Sequence, residues 1–256
     1  SGMFDLPKAI DCRDLEEMLS YAKGVKLPPN FKIVLTGHGR VGKGAREVLE
    51  YMKVRSVHSD DFLRMDFPEP VFTHLDVADY NMRADGGEFS MQDFIDDPLE
   101  FRSTFGRFTS EADLLVAGHF WAEGSPFLFT REDMRSPDWK VKVVADISCD
   151  IDGPVACTIR PSTIESPLYG YHPGTEQECT FSHPEGITVM AVDNLPCELP
   201  RDASDGFGRE LMDHVIPLLV EGDAEGILDA ATETTLQGEL NAPYAYLADY
   251  AAAGKG

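Results

Sequence analysis

Positive charge is scarce in this chain. Its 256 residues carry 22 Lys and Arg against 45 Asp and Glu, a formal net charge of −23. A surface this acidic repels nucleic acid and anionic lipid unless a local basic patch intervenes, and the sequence shows no such patch. We expect no nucleic-acid partner and no membrane partner. Long apolar runs are also missing. None approaches the roughly 18 residues that a spanning helix needs, and no secretory signal opens the chain. A cytoplasmic protein is the expectation. Cysteine is sparse and scattered: Cys12, Cys149, Cys157, Cys179 and Cys197, with no C-x-x-C among them. An odd, dispersed set argues for reduced thiols rather than a disulfide framework or a zinc site.

What remains is ordinary globular material. Hydrophobic residues make up 43% and charged residues 26%, which is enough for one large or two small domains with a real core. Residues 12–23 read as an amphipathic helix, followed by the break KLPPN. FKIVLT (31–36) suits a buried strand, and 43–52 carries Ala45, Val48, Leu49 and Met52 at helical spacing. Further strand-like runs fall at 54–59, 71–77, 112–120, 140–148 and 186–194. They are near-continuously apolar, as strands buried on both faces of a parallel sheet are. Helices are predicted at 90–108 and 130–135, and after Pro200 at 204–220, 223–232 and 243–252. Residues 149–185, rich in Pro, Gly, Thr and Cys, read as a long irregular insert between two strands. The fold class that follows is α/β: a doubly wound, Rossmann-type parallel sheet with helices on both faces, then C-terminal helices.

Between the first strand and its helix lies L-T-G-H-G-R-V-G-K-G-A (35–45), which can be taken two ways. Gly37, Gly42 and Lys43 spell the G-x-x-x-x-G-K of a P-loop. That motif needs Ser or Thr after the Lys to ligate magnesium, and Gly44 stands there instead. Gly37, Gly39 and Gly42 spell G-x-G-x-x-G. The first glycine makes the tight turn, the second lets backbone approach a pyrophosphate, and the third lets helix and strand pack closely. The helix start then offers free N–H groups and a positive dipole end to phosphate. The same motif asks for an acid about 20 residues on, to take the ribose hydroxyls. Asp60 and Asp61 lie at that distance and favour NAD over NADP. The competing reading is that they cap the following helix.

Other polar residues are weighed in the same way. His38 reads as facing solvent. His119 is either a cleft residue or a structural histidine, and His172 belongs to a turn. Asp146, Asp150 and Asp152 lack a His or Cys companion, and no metal site is expected there.

Several stretches together resemble the NAD-dependent, lysine-forming saccharopine dehydrogenases. They are KIVLTGHGRVGKGA (32–45), ADLLVAGHFW (112–121), VVADISCDIDG (143–153), RPSTIESPLYGY (160–171) and ITVMAVDNLPCELPRDAS (187–204). That family is related to alanine dehydrogenase and the NAD domain of transhydrogenase. The resemblance implies NAD as cofactor and conversion of saccharopine to lysine and 2-oxoglutarate, or the reverse. It implies a linker helix at 1–26, an NAD domain at 27–200 and a helical return at 201–256 to an N-terminal substrate domain. Cofactor contacts carried over with it are Gly37, Gly39, Arg40, Val41, Gly42, one of Asp60 and Asp61, Phe120, Ile147, Val192, Asp193, Asn194 and Leu195. The family's acid–base residues lie in the N-terminal domain, which nothing here matches. The expectation is therefore cofactor binding without turnover, with the amino-acid substrate held by that other domain. A non-catalytic NAD-binding module, or a dehydrogenase for a different amino acid, stays open. Oligomeric state is left open too.

Overall fold

The computed structural model describes residues 6–253. It divides into two units, one ending at Leu199 and one beginning at Pro200.

In the first unit, helix α1 (Leu15–Ala22) starts where the Asp14 carboxylate accepts the Glu17 N–H. Strand β1 (Lys32–Thr36) is buried along its whole length. Its side chains alternate between two cores. Ile33 and Leu35 pack with Leu49, Val54 and Phe72, while Val34 joins the larger cluster around Phe105, Phe108 and Val144. Burial on both faces is why the run carries no polar alternation. Helix α2 (Arg40–Tyr51) begins three residues before the predicted 43–52, because Gly39 rather than Gly42 is its N-cap. Then come β2 (Arg55–Ser56), α3 (Ser59–Arg64), β3 (Val71–Leu75), α4 (Val77–Tyr80) and β4 (Asn81–Arg83).

The predicted helix 90–108 is not one element. It divides into α5 (Met91–Asp96), a 3-10 turn at Pro98–Glu100, β5 (Phe101–Ser103) and α6 (Gly106–Thr109). Pro98 has no N–H to continue the helix and pushes Asp97 out of the helical region, to φ −144°. Phe101–Ser103 then pairs antiparallel with β4. The predicted helix at 130–135 is a 3-10 turn at Asp133–Arg135.

Strands β6 (Leu114–Ala117) and β7 (Val143–Asp146) follow as expected. The predicted irregular insert instead contains a hairpin, β8 (Leu168–His172) and β9 (Gln177–Cys179), before β10 (Ile187–Met190). The sheet order is β2-β3-β1-β6-β7-β10-β8-β9. It is parallel from β2 to β10, and β8 and β9 run antiparallel. The sheet is therefore mixed, mostly parallel, with an antiparallel edge, rather than wholly parallel.

The second unit is helical. Helix α7 (Pro200–Glu210) runs through a π turn at Leu211–Val215 into α8 (Ile216–Glu221). Pro217 lies just beyond that turn and cannot bond the Asp213 carbonyl, which accounts for the widened turn. Helix α9 (Ile227–Ala231), a 3-10 segment at Ala242–Leu247 and α10 (Ala248–Ala253) complete it.

Candidate functional site

The site forms at the carboxyl ends of the parallel strands. Strand β1 sits between β3 and β6, so the chain leaves it toward α2 where the strand order reverses. In open α/β sheets, ligands bind in the crevice at that point. The strand ends are laced together. Gly37 N–H donates to Leu75 O (3.1 Å), Gly118 N–H to Thr36 O (3.1 Å) and Ile147 N–H to Ala117 O (2.9 Å).

Each glycine of the turn has a separate job. Gly37 holds φ +92°, and a Cβ there would lie 2.4 Å from Gly118 O. A Cβ on Gly42 would lie 1.6 Å from Gly37 O. Gly39 meets nothing within 4 Å, so its outer side is open. The start of α2 has no side-chain cap and no acid in its first turn. Its free N–H groups therefore face that open space, flanked by Arg40 and Val41. The geometry fits a diphosphate on the helix N-terminus.

Two histidines hold the exit of β1, one from each neighbouring strand. The His74 Nε2 lies 2.7 Å from Gly37 O. A carbonyl only accepts, so Nε2 carries the proton. The His74 Nδ1 is buried without a partner. Burial lowers the pKa of this ring, opposed in part by the bond to Gly37. On the other side, His119 Nδ1 meets the Thr36 hydroxyl at 2.8 Å and its Nε2 is buried without a partner. Burial pushes the His119 pKa down to about 4. The exposed His38 lays its ring on His74, with centroids 4.1 Å apart, and reaches the His74 carbonyl at 3.3 Å.

The remaining predicted residues separate into two groups. Phe120 follows His119 and is 91% exposed. Ile147 follows β7. Val192 is buried and bridges Ser162, while Asp193 and Asn194 are exposed and Leu195 opens a 3-10 turn. The Ser162 hydroxyl accepts the Ala191 N–H (3.0 Å) and donates to Pro167 O (2.9 Å), which ties the insert to the end of β10. These residues all lie along the same sheet edge as the glycine turn.

Asp60 and Asp61 do not join them. Strand β2 pairs with β3 and not with β1, so these acids stand one strand further out, in the first turn of α3. Asp60 faces His58 (3.8 Å) and Arg64 (3.9 Å). The carboxylate beside the glycine turn is Asp76, directly after β3 and alongside Gly37. It caps α4 through the Val77 N–H (2.7 Å), and Asp79 returns the bond to the Asp76 N–H (2.7 Å). Spacing along the chain missed it because β2 is only two residues long. The usable signal was THLD, an acid at the end of the stronger strand.

Asp146 is fully buried and accepts bonds from Ser148 N–H and hydroxyl, Cys149 N–H and the Thr158 hydroxyl. Burial raises its pKa and these bonds oppose the rise. Asp152 pairs with Arg131 at 2.8 Å. Cys149, at φ 52°, donates its thiol to Ala191 O (3.1 Å), and burial raises its pKa. A separate cleft of about 640 Å³, lined by Ser110, Glu111, Trp139 and Lys140, opens at the opposite edge, by the starts of β6 and β7.

Fold and site together describe an α/β domain of Rossmann-like architecture. No family model matches the chain. Among characterised proteins, the mouse mitochondrial alpha-aminoadipic semialdehyde synthase is 28% identical over 218 residues, covering 73% of this chain and 23% of the relative. The Arabidopsis thaliana alpha-aminoadipic semialdehyde synthase is 23% identical over 239 residues, 84% of this chain and 22% of the relative. The NAD(+)-dependent, L-lysine-forming saccharopine dehydrogenase of Schizosaccharomyces pombe is 30% identical over 125 residues, 44% of this chain and 30% of that enzyme. These similarities, at 23–30% identity, are to alpha-aminoadipic semialdehyde synthases and to a saccharopine dehydrogenase, and they support the saccharopine dehydrogenase family. The chain spans less than a third of the length of each of these three relatives.

Proposed function

We propose that this chain is the NAD(H)-binding portion of a saccharopine dehydrogenase-like oxidoreductase in lysine metabolism. The observation that carries the reading is the open, uncapped start of α2 beside Gly39, with the Asp76 carboxylate on the neighbouring strand. In this reading the cofactor diphosphate lies on the N–H groups of Gly39 to Gly42. Asp76 takes the ribose hydroxyls in place of Asp60 and Asp61, and its negative charge disfavours the extra phosphate of NADP. Ile147 and the Val192–Leu195 segment face the nicotinamide. When bound, the nicotinamide supplies hydride transfer with the CH–NH carbon of the amino-acid substrate. The chain's own residues bind and orient the cofactor, and no proton-transfer residue is assigned among them.

The test is a fluorescence titration with NADH, with NADPH and ATP as competitors. Binding of NADH in preference to the other two supports the reading. ATP binding without NADH binding would overturn it in favour of a P-loop. Saccharopine-dependent NADH production by residues 1–256 alone would contradict a role limited to binding and orienting the cofactor.

A further inference from the structure

We propose that His74 is a positioning residue for the dinucleotide diphosphate: its Nε2–H fixes the Gly37 carbonyl and so holds the glycine turn in its binding shape. The proposal rests on the cofactor reading above and adds to it a residue outside the G-x-G-x-x-G motif.

The geometry supports it from three sides. The Gly37 carbonyl is the atom against which Gly42 packs, since a Cβ at Gly42 would fall 1.6 Å from it and 3.1 Å from His74 Nε2. The imidazole thus touches the contact between the first and third glycines. The 2.7 Å bond to the Gly37 carbonyl comes from β3, the strand that Asp76 directly follows. The His38 ring stands against His74, tilted by 51° with centroids 4.1 Å apart. A peptide plane that can rotate at Gly37 would turn the N–H groups of the following residues away from a bound diphosphate. Glycine gives that freedom, and His74 removes it.

The ring also carries a cost that a purely structural residue would avoid. With the proton on Nε2, Nδ1 is a buried acceptor with no donor. A phenyl ring of similar size would fill the space without leaving that atom unsatisfied. Keeping an imidazole there makes sense when the Nε2–H bond is needed. The His119 imidazole bonds to Thr36, not to the Gly37 carbonyl, while its backbone lies against Gly37, where a Cβ would fall 2.7 Å from the His119 Cα.

Three proteins decide the matter: the wild-type chain, His74→Gln, which keeps an N–H donor, and His74→Phe, which keeps only bulk. Each is titrated with NADH and with adenosine, which has no diphosphate. The expected result is a loss of about tenfold in NADH affinity for His74→Phe. Adenosine affinity should be unchanged, and His74→Gln should recover most of the loss. Equal losses for NADH and adenosine, or equal behaviour of the two variants, overturn the positioning role. Amide hydrogen exchange without ligand provides a second measurement. Exchange at residues 39–42 should quicken in His74→Phe while that of β1 and β3 stays the same. Unchanged exchange at the turn contradicts the clamp even if NADH binds. Wild-type chain that fails to bind NADH overturns the dinucleotide reading instead, and with it the binding role of His74; exchange still decides the clamp.

Discussion

Gly42 and Gly44 lie two residues apart in the same helix and have opposite roles. A Cβ at Gly42 would strike the Gly37 carbonyl, whereas one at Gly44 meets nothing within 4 Å. Gly42→Ala is expected to destabilise by about 2–4 kcal/mol and to abolish NADH binding, because the turn must shift. Gly44→Ala should stabilise by up to about 1 kcal/mol through helix propensity alone. Urea denaturation of the two variants reads both effects. The acids separate in the same way. Asp76→Asn should weaken NADH by about tenfold and narrow the preference over NADPH, since the ribose loses a charged acceptor. Asp60→Asn and Asp61→Asn should leave both cofactors unchanged, and competition titrations compare the three. The glycine pattern was legible in the sequence because each glycine answers a local steric demand. The carboxylate beside the turn was not, because which acid lies there depends on strand order, and chain spacing carries no information on order.

At the scale of elements, the buried parallel strands were the most legible, with β1, β3, β6, β7 and β10 all falling inside predicted runs. In β1 and β3 the apolar continuity reflects burial on both faces, whereas β6, β7 and β10 alternate buried with half-buried positions. Two regions misled. In 90–108 one helix was predicted across Pro98, yet one missing donor was enough to divide the segment. In 149–185, composition suggested irregular chain. LYGYH nonetheless extends along β10, with Tyr169 and Tyr171 buried beneath it. The insert also carries a small joint that matters for the site. The Ser162 hydroxyl satisfies the buried Ala191 N–H just before Val192. Ser162→Ala leaves that donor without a partner and is expected to cost about 1–3 kcal/mol. Denaturation midpoints measure the cost. Exchange of the Val192–Leu195 amides should rise with it if the joint holds that segment.

Over the whole molecule, the acidic balance was plain from composition, but the buried histidine was not. Burial pushes the His119 pKa in the fold down to about 4, from an ordinary value of about 6.5. Its neutral form is favoured in the fold. Above about pH 6.5 both states are neutral and the His119 site carries no penalty. Between about 6.5 and 4 the unfolded chain takes a proton that the fold refuses, and stability falls by up to about 3 kcal/mol. Below that range the loss is complete. Burial also raises the Asp146 pKa, which acts in the opposite direction, so the comparison needs a variant. The stability of His119→Gln should depend less on pH between 7 and 4.5 than that of the wild-type chain, as read from urea midpoints. Equal pH slopes would show that the histidine is solvated.

The central claim is that a dinucleotide lies along the carboxyl edge of β3, β1, β6, β7 and β10, with its diphosphate on the start of α2. Backbone amide NMR during titration with NAD(+) tests it most directly. The account predicts the largest shifts at Gly39 to Gly42, further shifts at Asp76, Ile147 and Asp193, and none at Ser59 to Arg64. Shifts confined to the cleft around Ser110 and Trp139, or no shifts at the glycine turn at saturating NAD(+), would contradict it.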